Sequence, residues 1–173
     1  MADLAAMSIQ KRVGRAVVVG LVLLAAGCAD FSAISPGDSA GVVADRVGAP
    51  DYVWKNPDGS ELWEYPAGYY GVQAFMIAIG PNQTVREVRQ VLSEDYFSRV
   101  HAGMSRDEVR RLLGRPREIW YFPPRDEESW TWRYYEVNYR LFSVLFDRTR
   151  GTVRGVLRLD EFTTPDRDGR GMH

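Results

Sequence analysis

Apolar residues along the chain come first as one unbroken run and then in two alternating rhythms. Residues 16–26 (AVVVGLVLLAA) carry no polar side chain on any face, which suits neither a surface helix nor an alternating strand. From residue 93 onward the pattern becomes mixed. Ser93-Glu94-Asp95 opens a short helix that turns Tyr96, Phe97 and Val100 inward and closes at Gly103. Ser105 is a good N-cap, and Glu108 three residues later completes a capping box, with Met104 and Val109 as the hydrophobic staple. Val109, Leu112 and Leu113 give an apolar stripe, and Gly114 and Pro116 stop the helix. The period then shortens to two. Residues 117–121 are short and extended, and 129–135 alternate so that Trp130, Trp132 and Tyr134 share a face. Residues 141–146 and 152–160 flank a turn-rich segment, 147–151, and predict a hairpin.

The same succession occurs earlier in the chain. Residues 31–57 and 97–123 align without gaps at an offset of 66, with nine identities: Phe31/Phe97, Ser32/Ser98, Gly37/Gly103, Ser39/Ser105, Val43/Val109, Gly48/Gly114, Pro50/Pro116, Trp54/Trp120 and Pro57/Pro123. The match continues with small slips through Trp63/Trp130, Phe75/Phe142 and Val85/Val153. Such self-similarity marks a duplicated unit. Strands in the first copy fall at 61–65, 72–79 and 84–92, with a turn at 80–83. The predicted fold class is α+β, two tandem copies of a helix-helix unit followed by three antiparallel strands. The copies span 31–93 and 94–162, and a disordered tail follows at 163–173. Gly37, Gly48, Pro50, Gly103, Ser105, Gly114 and Pro116 are read as cap and stop residues. The recurrence of Trp54/Trp120 and Trp63/Trp130 assigns these rings to helix–sheet packing.

Composition narrows the function. The 173 residues are 45% apolar and 26% charged with a net charge of -1, so nothing electrostatic favours nucleic acid. Cys28 is the single cysteine, and the two histidines, His101 and His173, lie far apart. No metal or cofactor set is expected from them. Asp126-Glu127-Glu128 is too adjacent for a catalytic pair, and Ser39 and Ser105 lack a nearby histidine, so neither a catalytic residue nor a small-molecule substrate is expected. Arg106, Arg110, Arg111 and Arg115, with Arg117, form a basic cluster. It is a candidate contact for anionic lipid headgroups or a partner; the other reading is a solvated helix face whose charges suit the helix's C-terminal end.

The apolar run is an address. Lys11, Arg12 and Arg15 precede it and Gly27-Cys28 follows, the layout of a secretory signal. Its eleven residues fall short of the roughly 20 that cross a bilayer as a helix. Leu24-Ala25-Ala26-Gly27-Cys28 resembles the lipobox of bacterial lipoproteins. The signal peptide is therefore 1–27, Cys28 is the lipid attachment, and 28–30 form a short tether. Ala29 after the cysteine favours the outer membrane by the general sorting rule, which places the chain lipid-anchored on its periplasmic face.

Gly103-Met104-Ser105, Val109, Leu112-Leu113-Gly114-Arg115-Pro116, Trp130 and the strand at 141–146 together resemble the BamE (SmpA/OmlA) family of outer-membrane lipoproteins. The resemblance implies a helix-helix-three-strand fold and a periplasmic role beside the β-barrel assembly machinery. A related fold occurs in tandem in secreted β-lactamase inhibitors, whose two sheets join into a concave protein-binding surface. The expected function is a lipid-anchored scaffold or interaction lipoprotein supporting outer-membrane protein assembly or envelope integrity. The alternative is an inhibitor-like or other protein-binding module of the envelope with a different partner.

Overall fold

The two longest helices, α1 (Ala40–Val47) and α3 (Arg106–Leu113), each start at a serine and end at a glycine. The serine hydroxyl accepts a hydrogen bond from a first-turn N–H: Val42 N to Ser39 Oγ at 3.3 Å and Glu108 N to Ser105 Oγ at 3.2 Å. In α3 the Glu108 carboxylate answers by accepting from Ser105 N at 2.7 Å, so two otherwise unpaired donors are satisfied reciprocally. Gly48 and Gly114 then take positive φ, 85° and 75°, which a side chain at that position would strain. Pro50 and Pro116 come two residues later and keep the chain extended.

This computed structural model describes residues 30–161; the signal segment, the Cys28 lipid site and the tail at 163–173 lie outside the described residues. A 3-10 turn at Phe31–Ala33 precedes α1, and β1 (Tyr52–Lys55), β2 (Glu61–Tyr65), β3 (Phe75–Ile79) and β4 (Val85–Gln90) come after it. Then come α2 (Glu94–Phe97), α3, β5 (Glu118–Phe122), a 3-10 turn at Pro123–Arg125, β6 (Glu127–Tyr135), β7 (Tyr139–Asp147) and β8 (Thr152–Asp160). Strands β1–β4 form one sheet and β5–β8 a second, each a meander whose sequence neighbours pair antiparallel.

This corrects the expected fold class. The chain is mostly β, with strand residues outnumbering helical ones about two to one, and it is not a pair of helix-helix-three-strand units. Two physical causes account for the difference. After each glycine and proline the chain carries Tyr-Val-Trp-Lys or Glu-Ile-Trp-Tyr-Phe, aromatic and β-branched residues that pair with the next strand as a fourth, edge strand. Ahead of α1, Pro36 holds Ser35 out of the helical region, so the helix expected there is a single 3-10 turn.

Each sheet buries one face under the helix that precedes it. On sheet 1, Trp63, Tyr65, Ile77, Ile79 and Val85 pack with Ile34 and with Ala40 and Val43 of α1. On sheet 2, Trp130, Trp132, Phe142, Val144, Phe146 and Val153 pack with Phe97 and with Val109 and Leu113 of α3. This second core also includes Ala74, Met76, Val91 and Leu92, which belong to the first half of the chain. Helix α3 is therefore enclosed between the two sheets. The lead-in loops attach by matching contacts: Gly37 N to Val85 O and Gly103 N to Val153 O, both 2.9 Å, with bridges Ser39–Thr84 and Ser105–Thr152.

Candidate functional site

The reverse faces of the two sheets are built alike and end differently. On sheet 1, cross-strand pairing places Tyr52 beside Glu64 and Glu64 beside Met76, while Trp54 sits beside Leu62 and Leu62 beside Ala78. The C-terminal end of α3 lies on this face. Glu64 is fully buried and accepts from Arg115 N at 2.6 Å, Arg110 Nε at 3.2 Å and Trp54 Nε1 at 3.3 Å. Three donors thus satisfy the carboxylate where water cannot reach it. Arg110 lies 4.7 Å from the Tyr52 ring, Arg111 4.6 Å from the Trp54 ring, and Arg115 3.5 Å from the Asp51 carboxylate.

The structure therefore divides the basic cluster. Arg110, Arg111 and Arg115 gather on sheet 1. Arg106, at the other end of α3, pairs with Glu128 at 2.6 Å and donates to the Arg148 carbonyl. Arg117 lies between Glu118 and Glu161 at 3.7 and 3.5 Å and under the Tyr69 ring. Four of the cap and stop residues, Gly37, Gly48, Gly103 and Gly114, take positive φ at the loops described above.

On sheet 2 the corresponding face is open. Pairing aligns Trp120 with Ser129, Ser129 with Leu145 and Leu145 with Gly155. The neighbouring row runs Glu118, Thr131, Ser143, Leu157, and the next runs Arg133, Leu141, Leu159. The central floor is small and polar: Ser129, Thr131 and Ser143 are buried, and the Thr131 and Ser143 hydroxyls pair at 2.9 Å. Large apolar side chains stand at both edges, Trp120 and Phe122 on β5 and Leu157 and Leu159 on β8, all exposed. Tyr135 and Tyr139 close one end, with Arg133 3.9 Å from the Tyr139 ring. Arg133 also binds Glu161 through two 2.9 Å hydrogen bonds, which hold that carboxyl below its ordinary range.

Trp54 is 9% exposed and Trp120 is 58% exposed, although they occupy the same place in their sheets. The expectation that both pack between helix and sheet fails for Trp120. Its ring points away from α3, and the described residues contain no further helix to lie over it. The sequence carried a signal for this. Alternation along β5 and β6 places Trp120 opposite Ser129, on the face away from Trp130.

No family model and no curated protein matches the chain. Among solved structures it is similar to a beta-lactamase inhibitor-like protein from Streptococcus mutans, at 15% identity over 76% of this chain and 88% of that one, with a TM-score of 0.32. It is also similar to an extracellular protein containing a SCP domain from Bacillus anthracis, at 11% identity and a TM-score of 0.29; the match covers 90% of this chain and 50% of that one. Neither bears on BamE or on outer-membrane assembly. At these scores neither likeness carries an argument about function.

Proposed function

We propose that this chain is a lipid-anchored interaction module of the bacterial envelope that binds another protein through the open face of sheet 2. The observation that carries the reading is the exposure of Trp120 and Phe122 at one edge and Leu157 and Leu159 at the other, on either side of a small polar floor. Exposed apolar side chains gathered on one face, with tryptophan and tyrosine among them, have the composition of a protein-binding surface. The lipobox at Cys28 and the alanine after it support placing the module on the periplasmic face of the outer membrane. A role beside the β-barrel assembly proteins is the finer form of this proposal and rests on the BamE-like residues alone.

The test is a photoreactive residue at position 157 of the full-length protein in intact cells. Protein adducts that vanish with Trp120→Ala are the expected result. Adducts to lipid alone, or protein adducts equally strong from position 95 on α2, would refute it. Labelling with a fatty-acid analogue tests the anchor: incorporation that is lost with Cys28→Ala is expected, and an unlabelled mature protein in the soluble periplasmic fraction overturns it.

A further inference from the structure

Among the described residues the chain makes one interface inside itself and leaves each half of that interface unmatched at an end. The interior contact sets the end of a glycine-stopped helix, α3, on the reverse face of a four-stranded sheet. At Gly114 an added Cβ would lie 3.8 Å from Glu64 Cγ. Gly48, the same stop on α1, has nothing within 4 Å of that position. Trp54 lies under the helix end, and its counterpart Trp120 is uncovered. Among the described residues one helix end and one sheet face therefore remain uncovered, each a relative of a surface that already pairs with the other kind.

The chemistry of the two free surfaces has changed together. At the positions of Arg110, Arg111 and Arg115, α1 and its exit carry Ala44, Asp45 and Ala49. At the positions of Glu64 and Asp51 the second half carries Thr131 and Arg117. Both members of two pairs are therefore lost together: the Arg110 guanidinium with the buried Glu64 carboxylate it donates to, and the Arg115 side chain with Asp51. A floor of Ser129, Thr131, Ser143 and Gly155 has room for a helix end that carries Ala44 and Ala49 where α3 carries Arg110 and Arg115. Gly155, where an added Cβ would meet nothing within 4 Å, keeps that floor low toward β8.

Resting on the reading that this face binds protein, we propose that its occupant is a second copy of this chain. The end of the second copy's α1, from Ala44 to Pro50, lies on sheet 2 of the first as α3 lies on sheet 1. The contact joins two different surfaces, so it runs head to tail and either closes a ring or continues into a row. Stacked repeat units behave in this way when a terminal unit has no polar cap.

The experiment co-expresses two differently tagged full-length proteins, one carrying Ala49→Cys and the other Thr131→Cys, and treats the cells with a short bismaleimide. The mixed pair is expected to crosslink, and neither variant alone is expected to. Trp120→Ala should lower the yield at least roughly tenfold, the loss usual for a central interface tryptophan. Asp45→Arg, on the exposed side of α1, should lower it without touching sheet 2. A mixed yield no higher than that of either variant alone overturns the proposal, as does Thr131→Cys dimerising by itself to the same extent. If position 157 then still gives adducts with a different protein, the protein-binding reading stands and self-association falls. If position 157 gives lipid adducts only, both fall.

Discussion

Arg110 Nε lies 3.2 Å from Glu64 Oε2, and this pair joins α3 of the second half to β2 of the first. Glu64 is fully buried, while a quarter of the Arg110 side chain reaches solvent. Removing the arginine leaves the carboxylate with two donors, Trp54 Nε1 and Arg115 N. Removing the glutamate leaves all three donors without their acceptor. Glu64→Ala should cost about 3 kcal/mol and Arg110→Ala less, about 1–2 kcal/mol. The double change Glu64→Leu with Arg110→Met should recover part of that loss, because the ion pair's desolvation cost is removed while Trp54 Nε1 and Arg115 N still lack an acceptor. Urea unfolding of the four proteins measures the order; a double variant less stable than Glu64→Ala would contradict it.

The two equivalent tryptophans should respond oppositely to truncation. Trp54 is covered by Arg111 and donates to Glu64, so Trp54→Ala empties a buried site and should cost about 3 kcal/mol. Trp120 is mostly solvated and donates to Glu118 on its own strand, so Trp120→Ala should cost less than about 1 kcal/mol. Thermal or urea midpoints decide the matter, and equal losses would mean that Trp120 is covered in the free protein.

Local signals were legible in the sequence and the layering was not. The serine, glutamate, glycine and proline around α3 act within one turn of the chain, so spacing alone located that helix. The alternation of Trp130, Trp132 and Tyr134 likewise identified the buried face of β6. The first edge strand, Tyr52–Lys55, is too short to show a period, and only the neighbouring strand makes it part of a sheet, whereas its counterpart Glu118–Phe122 reads as extended at 117–121. Arg110 read as part of a charged helix face because its acceptor, Glu64, is 46 residues earlier and nothing near either residue announces the pair. Trp120 presents the reverse case. The repeat matched it to Trp54, yet burial of the ring depends on the next element along the chain, and among the described residues a helix follows the first sheet and none follows the second.

The two helix caps give a graded comparison. Ser105 caps reciprocally with Glu108, whereas Ser39 has Val42 at the corresponding position and its hydroxyl accepts one hydrogen bond, from Val42 N. Ser105→Ala should cost about 1 kcal/mol and Ser39→Ala about half that. Amide exchange of α1 and α3 in the two variants separates local from global effects, with faster exchange expected in the helix whose cap was removed. Equal losses would show that the hydrogen bond from Ser105 Oγ to the Glu108 carboxylate adds nothing to the cap.

Acid should weaken the fold through carboxylates that are held ionised. Glu108 lies below its ordinary 4.5 because Ser105 N donates to it, and Glu161 because Arg133 does. Asp147 lies below its ordinary 3.8, chiefly through the Arg150 N–H and then through Arg154. A carboxyl whose folded value is depressed binds fewer protons in the native state than in the unfolded chain. Its stabilisation is then complete above the unfolded value and disappears as the pH falls through the folded one. The urea midpoint should be nearly level from neutrality to about pH 5 and fall below that, as native carboxylates are forced to protonate. Glu108→Gln keeps an acceptor for Ser105 N without a titrating proton, so its midpoint should be lower at pH 7 and converge on the wild type as acid is added. A Glu108→Gln protein whose deficit stays constant down to about pH 3, below the ordinary carboxylate range, would show that the cap's contribution does not depend on the charge.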